Sequence, residues 1–120
     1  MANGLILALS NSVEGKDGAF NRWYDEQHLG DVLDVPGIVA ARRYDLAPTD
    51  VPEDQDLPAE IAPPAHRYLA IYEVDGDPDA VMNEMISRVG TGNVSLSDAL
   101  ELSTVTFSVW RPRGDRRLSP

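Results

Sequence analysis

Proton transfer near neutral pH needs a group that titrates there, and the chain offers two imidazoles, His28 and His66. His28 is the stronger candidate for a general base or acid. Tyr24 precedes it by four residues, so on a helix the phenol and the imidazole share a face. A hydroxyl there can stabilise an oxyanion or enolate while His28 moves the proton. Asp25 and Asp31 stand three residues before and after His28, each spaced to orient the ring. A plainer account fits the same residues. An aromatic helix face carrying Phe20 and Trp23 packs a core, and a histidine near a helix C-terminus favours the end dipole.

A second set of residues binds rather than reacts. Arg42 and Arg43 are adjacent, so in a strand they point to opposite faces, and one enters a covered environment where an unpaired guanidinium is costly. A salt bridge to Asp45, Glu73 or Asp31 satisfies it, and so does a ligand carboxylate or phenolate. Tyr44 shares a face with Arg42, while His66, Tyr68 and Tyr72 share one face of a later strand. With Trp23, these tyrosines can line a cavity for an aromatic or polyketide ligand. Ordinary core and dimer packing accounts for them equally well.

Other chemistries lack their residues. The absence of cysteine excludes disulfides, thiolate nucleophiles and thiolate metal sites. No histidine pair has ligand spacing, and Glu26 and His28 point in different directions on a helix, so no metal is expected. Gly90-Thr91-Gly92 lacks the following glycine and the preceding strand of a dinucleotide site, and no serine sits in a nucleophile elbow. Either histidine can ligate haem, but nothing around them marks it. No cofactor is expected.

The elements that position these residues follow from hydrophobic spacing. Leu5 to Ser10 is apolar on both alternating faces, as in a strand covered on both sides. Asp17 is placed to cap a helix carrying Phe20, Trp23, Tyr24, Gln27 and His28, with an interruption at Gly30 and an end at Pro36-Gly37. Ile38 to Leu46 alternates as a strand, with Ile38, Ala40, Arg42, Tyr44 and Leu46 on one face. Residues 47–65 hold five of the nine prolines and read as a long loop. His66 to Val74 is a third strand. Asp77-Pro78 starts a second helix that stops at Gly90. A short helix is expected around Ser97 to Leu100, then a last strand from Ser103 to Arg111.

The order β-α-β-loop-β-α-β is the ferredoxin-like βαββαβ pattern: an α+β fold with a four-stranded antiparallel sheet and two helices on one face. At 120 residues it forms one domain, residues 1–112, followed by a basic tail, 113–120, expected to be disordered. Two helices cover one face of such a sheet, yet the strands are apolar on both. A homodimer through the bare sheet face resolves the mismatch.

The run Phe20-Asn21-Arg22-Trp23-Tyr24-Asp25-Glu26-Gln27-His28-Leu29, then Val35-Pro36-Gly37 and Ala41-Arg42-Arg43-Tyr44, resembles the EthD-like group of the dimeric α+β barrel superfamily. The match is specific over roughly residues 17 to 46, although Gly30 stands where relatives often carry proline. The resemblance implies a ferredoxin-like protomer that dimerises through its sheet. It implies no single reaction, because the superfamily spans muconolactone isomerases, polyketide cyclases, cofactor-free monooxygenases, haem-degrading enzymes and members without known activity.

The functional expectation is a small cofactor-independent enzyme of isomerase, cyclase, lyase or monooxygenase type. It would act on an apolar or aromatic carbonyl or phenolic metabolite, with His28, Tyr24 and Asp25 catalytic and Trp23, Arg42, Arg43, Tyr44, His66, Tyr68 and Tyr72 binding. The alternative is a non-catalytic small-molecule-binding or accessory dimer. The net charge of −10 argues against nucleic acid and against an anionic membrane surface. No apolar stretch approaches the ~20 residues of a membrane span, and a cytoplasmic location is expected. Asp45 to Glu60 contributes six acids and no bases, so much of the acidity belongs to the proline-rich loop.

Overall fold

The computed structural model describes residues 3–48 and 62–120. β1 (Gly4–Ser10) alternates buried and half-buried side chains, with Ile6 and Ala8 inward and Leu5, Leu7 and Leu9 on the other face. Its neighbours are β3 (Tyr68–Val74) and β4 (Thr106–Trp110), and β2 (Ile38–Asp45) pairs with β3. All three pairings are antiparallel in the order β2-β3-β1-β4. This is the ferredoxin-like sheet, and the chain is an α+β protein of that class.

The first helix differs from its expected form. It runs unbroken through Gly30 as α1 (Asp17–Trp23), a π-helical turn (Tyr24–His28) and α2 (Leu29–Leu33). The departure from α geometry falls before Gly30, where the Leu29 N–H reaches back five residues to the Tyr24 carbonyl. Asp17 does not cap the helix. Lys16 holds the cap position without a side-chain bond, and the Asp17 carboxylate accepts from the Tyr68 hydroxyl at 2.6 Å and from Arg67 at 3.1 Å. A carboxylate engaged by a phenol and a guanidinium is no longer free to fold back onto its own helix.

Pro36-Gly37 ends this helix as expected. Gly37 has a φ of +96°, and a Cβ there would meet Val81 Cγ2 at 2.5 Å, so the turn needs glycine for both conformation and space. β2 then carries a bulge between Ile38 and Ala40. One extra residue reverses which side chains point inward. Ile38 is buried, but beyond the bulge Ala41 and Arg43 take the helix side, while Arg42 and Tyr44 keep the far face. The expected single face of Ile38, Ala40, Arg42, Tyr44 and Leu46 is therefore split.

α3 (Pro78–Gly90) starts as its sequence predicts: the Asp77 side chain accepts from the Asp79 N–H and Pro78 opens the first turn. Val81, Met82 and Met85 are buried against the sheet. Gly90 is the last helical residue, and the left-handed residue after it is Gly92, with a φ of +81°. The helix expected around Ser97 is a tight turn, in which the Leu100 N–H donates to the Ser97 carbonyl at 3.2 Å. A 3-10 turn follows at Leu102–Thr104, so the last strand is shorter than its β-prone sequence suggests. β3 likewise starts at Tyr68 rather than His66.

Phe20, Ile6, Tyr72, Val32, Val35, Val74 and Val94 are the largest fully buried side chains, and Val81, Met82 and Met85 bring α3 into the core that most of them form on one face of the sheet. Each such burial contributes about 1.5–3 kcal/mol. The opposite face presents Leu5, Leu7, Leu9, Leu69 and Ile71, with exposed Tyr44 and Trp110 beside them. Most of the predicted 47–65 loop, residues 49–61, lies outside the described residues. The tail 113–120 has neither helix nor strand and is exposed throughout. Among the described residues no helix is long and apolar enough to cross a membrane.

Candidate active site

The π turn determines what the first helix presents to the sheet. In an α-helix residues five apart sit about 140° apart around the axis. An i→i+5 turn instead brings the later residue back over the earlier one. Trp23 and His28 are five apart, and their rings stack with centroids 4.5 Å apart at an interplanar angle of 25°. Tyr24 meets His28 edge-on at 4.8 Å. The π turn thus adds Trp23 to the Tyr24–His28 pair that a regular helix would already put on one face.

The three rings converge on a cavity of about 180 Å³ between the first helix, α3 and the inner face of the sheet. Trp23, Tyr24, His28 and Tyr72 line one side. Met85 and Val89 of α3 line another, with Val94, Leu100 and Val105 from the segment that leads into β4. Among the described residues no Asp, Glu, Lys or Arg lines it. The volume slightly exceeds that of an engineered ~150 Å³ apolar cavity that takes up benzene.

The polar atoms of this cavity are few and specific. The hydroxyls of Tyr24 and Tyr72 share a hydrogen bond at 3.1 Å. Burial raises both phenols above their ordinary value, so both are neutral at pH 7. His28 is buried, and desolvation pulls it from 6.5 down to about 4, with the Asp31 charge opposing and Arg43 assisting. It is an uncharged imidazole at pH 7. Its Nδ1 and the indole Nε1 of Trp23 are buried without hydrogen-bond partners. Buried polar atoms usually find partners, so two orphans on stacked rings call for an explanation.

The remaining candidates sit elsewhere. Asp25 does not reach His28: it is an exposed acid paired with Arg43 at 2.8 Å. Arg43, expected to pair with Asp45, Glu73 or Asp31, also donates to Asn21 and lies 4.4 Å above the Tyr24 ring. It backs the tyrosine without lining the cavity. Arg42 and Tyr44 stack on each other on the far sheet face, with the guanidinium 5.5 Å from the ring centre. Tyr68 is bonded to Asp17, and the Nε2 of His66 lies 2.7 Å from the Thr104 carbonyl. Neither lines the cavity. Sequence reasoning missed Ala8, Ser10 and Val32, the α3 residues Met85, Ile86 and Val89, and the whole wall from Val94 to Phe107. The one available signal was the density of apolar residues there, which follow no fixed period. Among the described residues no group of acids and histidines is arranged to hold a metal ion.

Fold and cavity together define a ferredoxin-like α+β protein with a one-sided polar pocket beside its first helix. Two solved structures share that fold. An ethyl tert-butyl ether D (EthD) family protein from Bacillus halodurans C-125 superposes with a TM-score of 0.62 at 16% identity, over 94% of this chain and 100% of that one. HapK from Hahella chejuensis superposes with a TM-score of 0.53 at 11% identity, over 98% and 99% of the two chains. At these identities the likeness is one of fold. The shared architecture spans nearly the whole chain. No family model and no curated protein matches the sequence.

Proposed function

We propose that the chain is a small cofactor-independent enzyme that moves a proton on an apolar carbonyl or phenolic metabolite held in this cavity. The supporting observation is His28: a neutral, buried imidazole with an unpartnered Nδ1, set against the Tyr24–Tyr72 hydroxyl pair. His28 takes a proton from the carbon α to a carbonyl. The C–H electron pair forms the enolate double bond as the carbonyl pair moves onto oxygen, where the Tyr24 hydroxyl donates a hydrogen bond. The imidazolium then returns the proton to the same carbon or to a conjugated one. The step balances without a co-reactant. In deuterium oxide a panel of aromatic ketones and lactones should exchange α-protons on the wild type, and His28→Ala should slow that exchange at least 100-fold. Equal exchange by both proteins removes His28 from the mechanism.

A second reading, a binding protein without turnover, draws on the low basicity of His28. A base with a pKa of about 4 gives little driving force against a carbon acid. Calorimetric binding of the same panel with no exchange above background selects this reading.

The apolar far face of the sheet supports a homodimer closed through β1 and β3. Sedimentation should return twice the 13.1 kDa chain mass, and a stable monomer contradicts it. Cysteine-free composition and the absence of a membrane-crossing helix among the described residues accord with action in the cytoplasm.

A further inference from the structure

We infer that the ligand is an uncharged single-ring oxygen compound, phenolic or enone at its head, with an apolar tail that lies in the cavity mouth. This rests on the reading of the cavity as a ligand site and adds the shape, charge and orientation of its occupant.

The cavity is graded from floor to mouth. Tyr72, Tyr24 and His28 at the floor are 1%, 4% and 9% exposed, and they carry its hydroxyl pair and the unpartnered imidazole nitrogen. At the mouth stand Ile86, Leu96, Leu102 and Phe107, which are 55%, 42%, 62% and 51% exposed. Four large apolar side chains held in water around one opening are costly unless something apolar covers them. The oxygen of a ligand therefore belongs at the floor and its hydrocarbon at the mouth.

Charge and width follow from the walls. Among the described residues no cation lines the cavity, and Arg43 is spent on Asp25 and Asn21 behind the Tyr24 ring. An anionic head would be buried without a counter-charge, which is expensive. A neutral hydroxyl instead can donate to an imidazole nitrogen and accept from a neighbouring tyrosine or indole. The floor of a cavity of about 180 Å³ takes one ring, and a fused second ring has to displace packed side chains.

Titration calorimetry with four probes tests this: phenol, 4-butylphenol, 1-naphthol and 4-butylbenzoate. Butylphenol and naphthol have the same number of carbons, one long and one broad. Butylphenol and butylbenzoate share a tail and differ in head charge. Butylphenol should bind at least tenfold tighter than phenol, since each methylene buried at the mouth adds up to about fourfold. Naphthol and butylbenzoate should each bind at least tenfold more weakly than butylphenol. Leu102→Ser, a change at an exposed residue outside the core, should reduce the gain from the butyl tail several-fold. If butylphenol binds the protein no tighter than phenol, naphthol or butylbenzoate, the proposal is overturned while the cavity remains a binding site. If none of the four binds at millimolar concentration, the site itself is refuted and the proposal with it.

Discussion

The two histidines look alike in the sequence and lie in opposite circumstances in the fold. His28 is buried among aromatic rings, with Nδ1 unpartnered and its basicity depressed by desolvation. His66 is half-buried just before β3, and its Nε2 contacts the Thr104 carbonyl at 2.7 Å. One ring has lost its water and gained no protein partner. The other ties the start of β3 to the segment that leads into β4. A polar atom that is left unsatisfied costs stability, and folds retain that cost mainly where a ligand or a reaction uses the group. A polar atom that is satisfied between two segments is a fastener.

The sharpest way to break this contrast is to remove each imidazole in turn. His28→Ala should cost at least 100-fold in α-proton exchange, while His66→Ala should stay within about twofold of the wild type. Equal losses would mean that the contrast is one of burial and not of role. Acid should separate them next. His28 binds its proton at about 4 in the folded chain and near its ordinary 6.5 when unfolded. The unfolded state therefore takes up more protons between those values, and stability falls as the pH drops through that window. Above 6.5 both states are neutral and the contribution vanishes; at pH 4 and below it amounts to about 3 kcal/mol of destabilisation. Urea titrations at pH 7 and pH 4 measure it. His28→Leu should remove most of the difference, and an unchanged pH dependence in that variant would assign the acid sensitivity to other groups.

A smaller effect isolates the electrostatics. The Arg43 charge adds to the desolvation that holds His28 down, while Asp31 works against it. Arg43→Gln should raise the His28 midpoint, read from its imidazole proton resonances, toward the ordinary value. The variant also releases Asp25 and uncovers the Tyr24 ring, so a modest loss of stability is expected beside the shift. A midpoint that stays at about 4 would leave burial as the sole cause.

Much of the architecture was legible because it depends on repeating patterns. The order of strands and helices, the Asp77-Pro78 start of α3 and the shared face of Tyr24 and His28 all follow from spacing and local capping chemistry. What was not legible depends on single-residue slips in the backbone. The π turn at Tyr24–His28 and the bulge at Ile38–Ala40 each insert one residue, and no residue type there announces it. Both slips matter to the site. The first stacks Trp23 on His28, and the second puts Arg43 on the same side of the sheet as Ile38, toward the Tyr24 ring, where strict alternation sets the two on opposite faces. The aliphatic wall at Val94, Leu100 and Val105 was illegible for another reason: it is built from turns, whose apolar residues obey no period.

The smallest expected effect closes the comparison from the side of His66. Its ring partners a carbonyl that lies in the 3-10 turn before β4, and Thr104 is further held there by its own hydroxyl, which donates to the Glu101 carbonyl at 2.6 Å. The Asn11 N–H in turn donates to the Thr104 hydroxyl at 3.0 Å. His66→Ala therefore removes one of several ties, and the residue is not fully buried, so water can replace the lost partner. A loss of about 0.5–1.5 kcal/mol is expected, seen as a shift of a few degrees in Tm. That loss should be the same with and without a bound probe, because His66 does not line the cavity. If His66→Ala instead weakened probe binding as strongly as it weakened the fold, the β4 approach would be coupled to the floor of the cavity, and the division between the reacting and the fastening histidine would have to be redrawn.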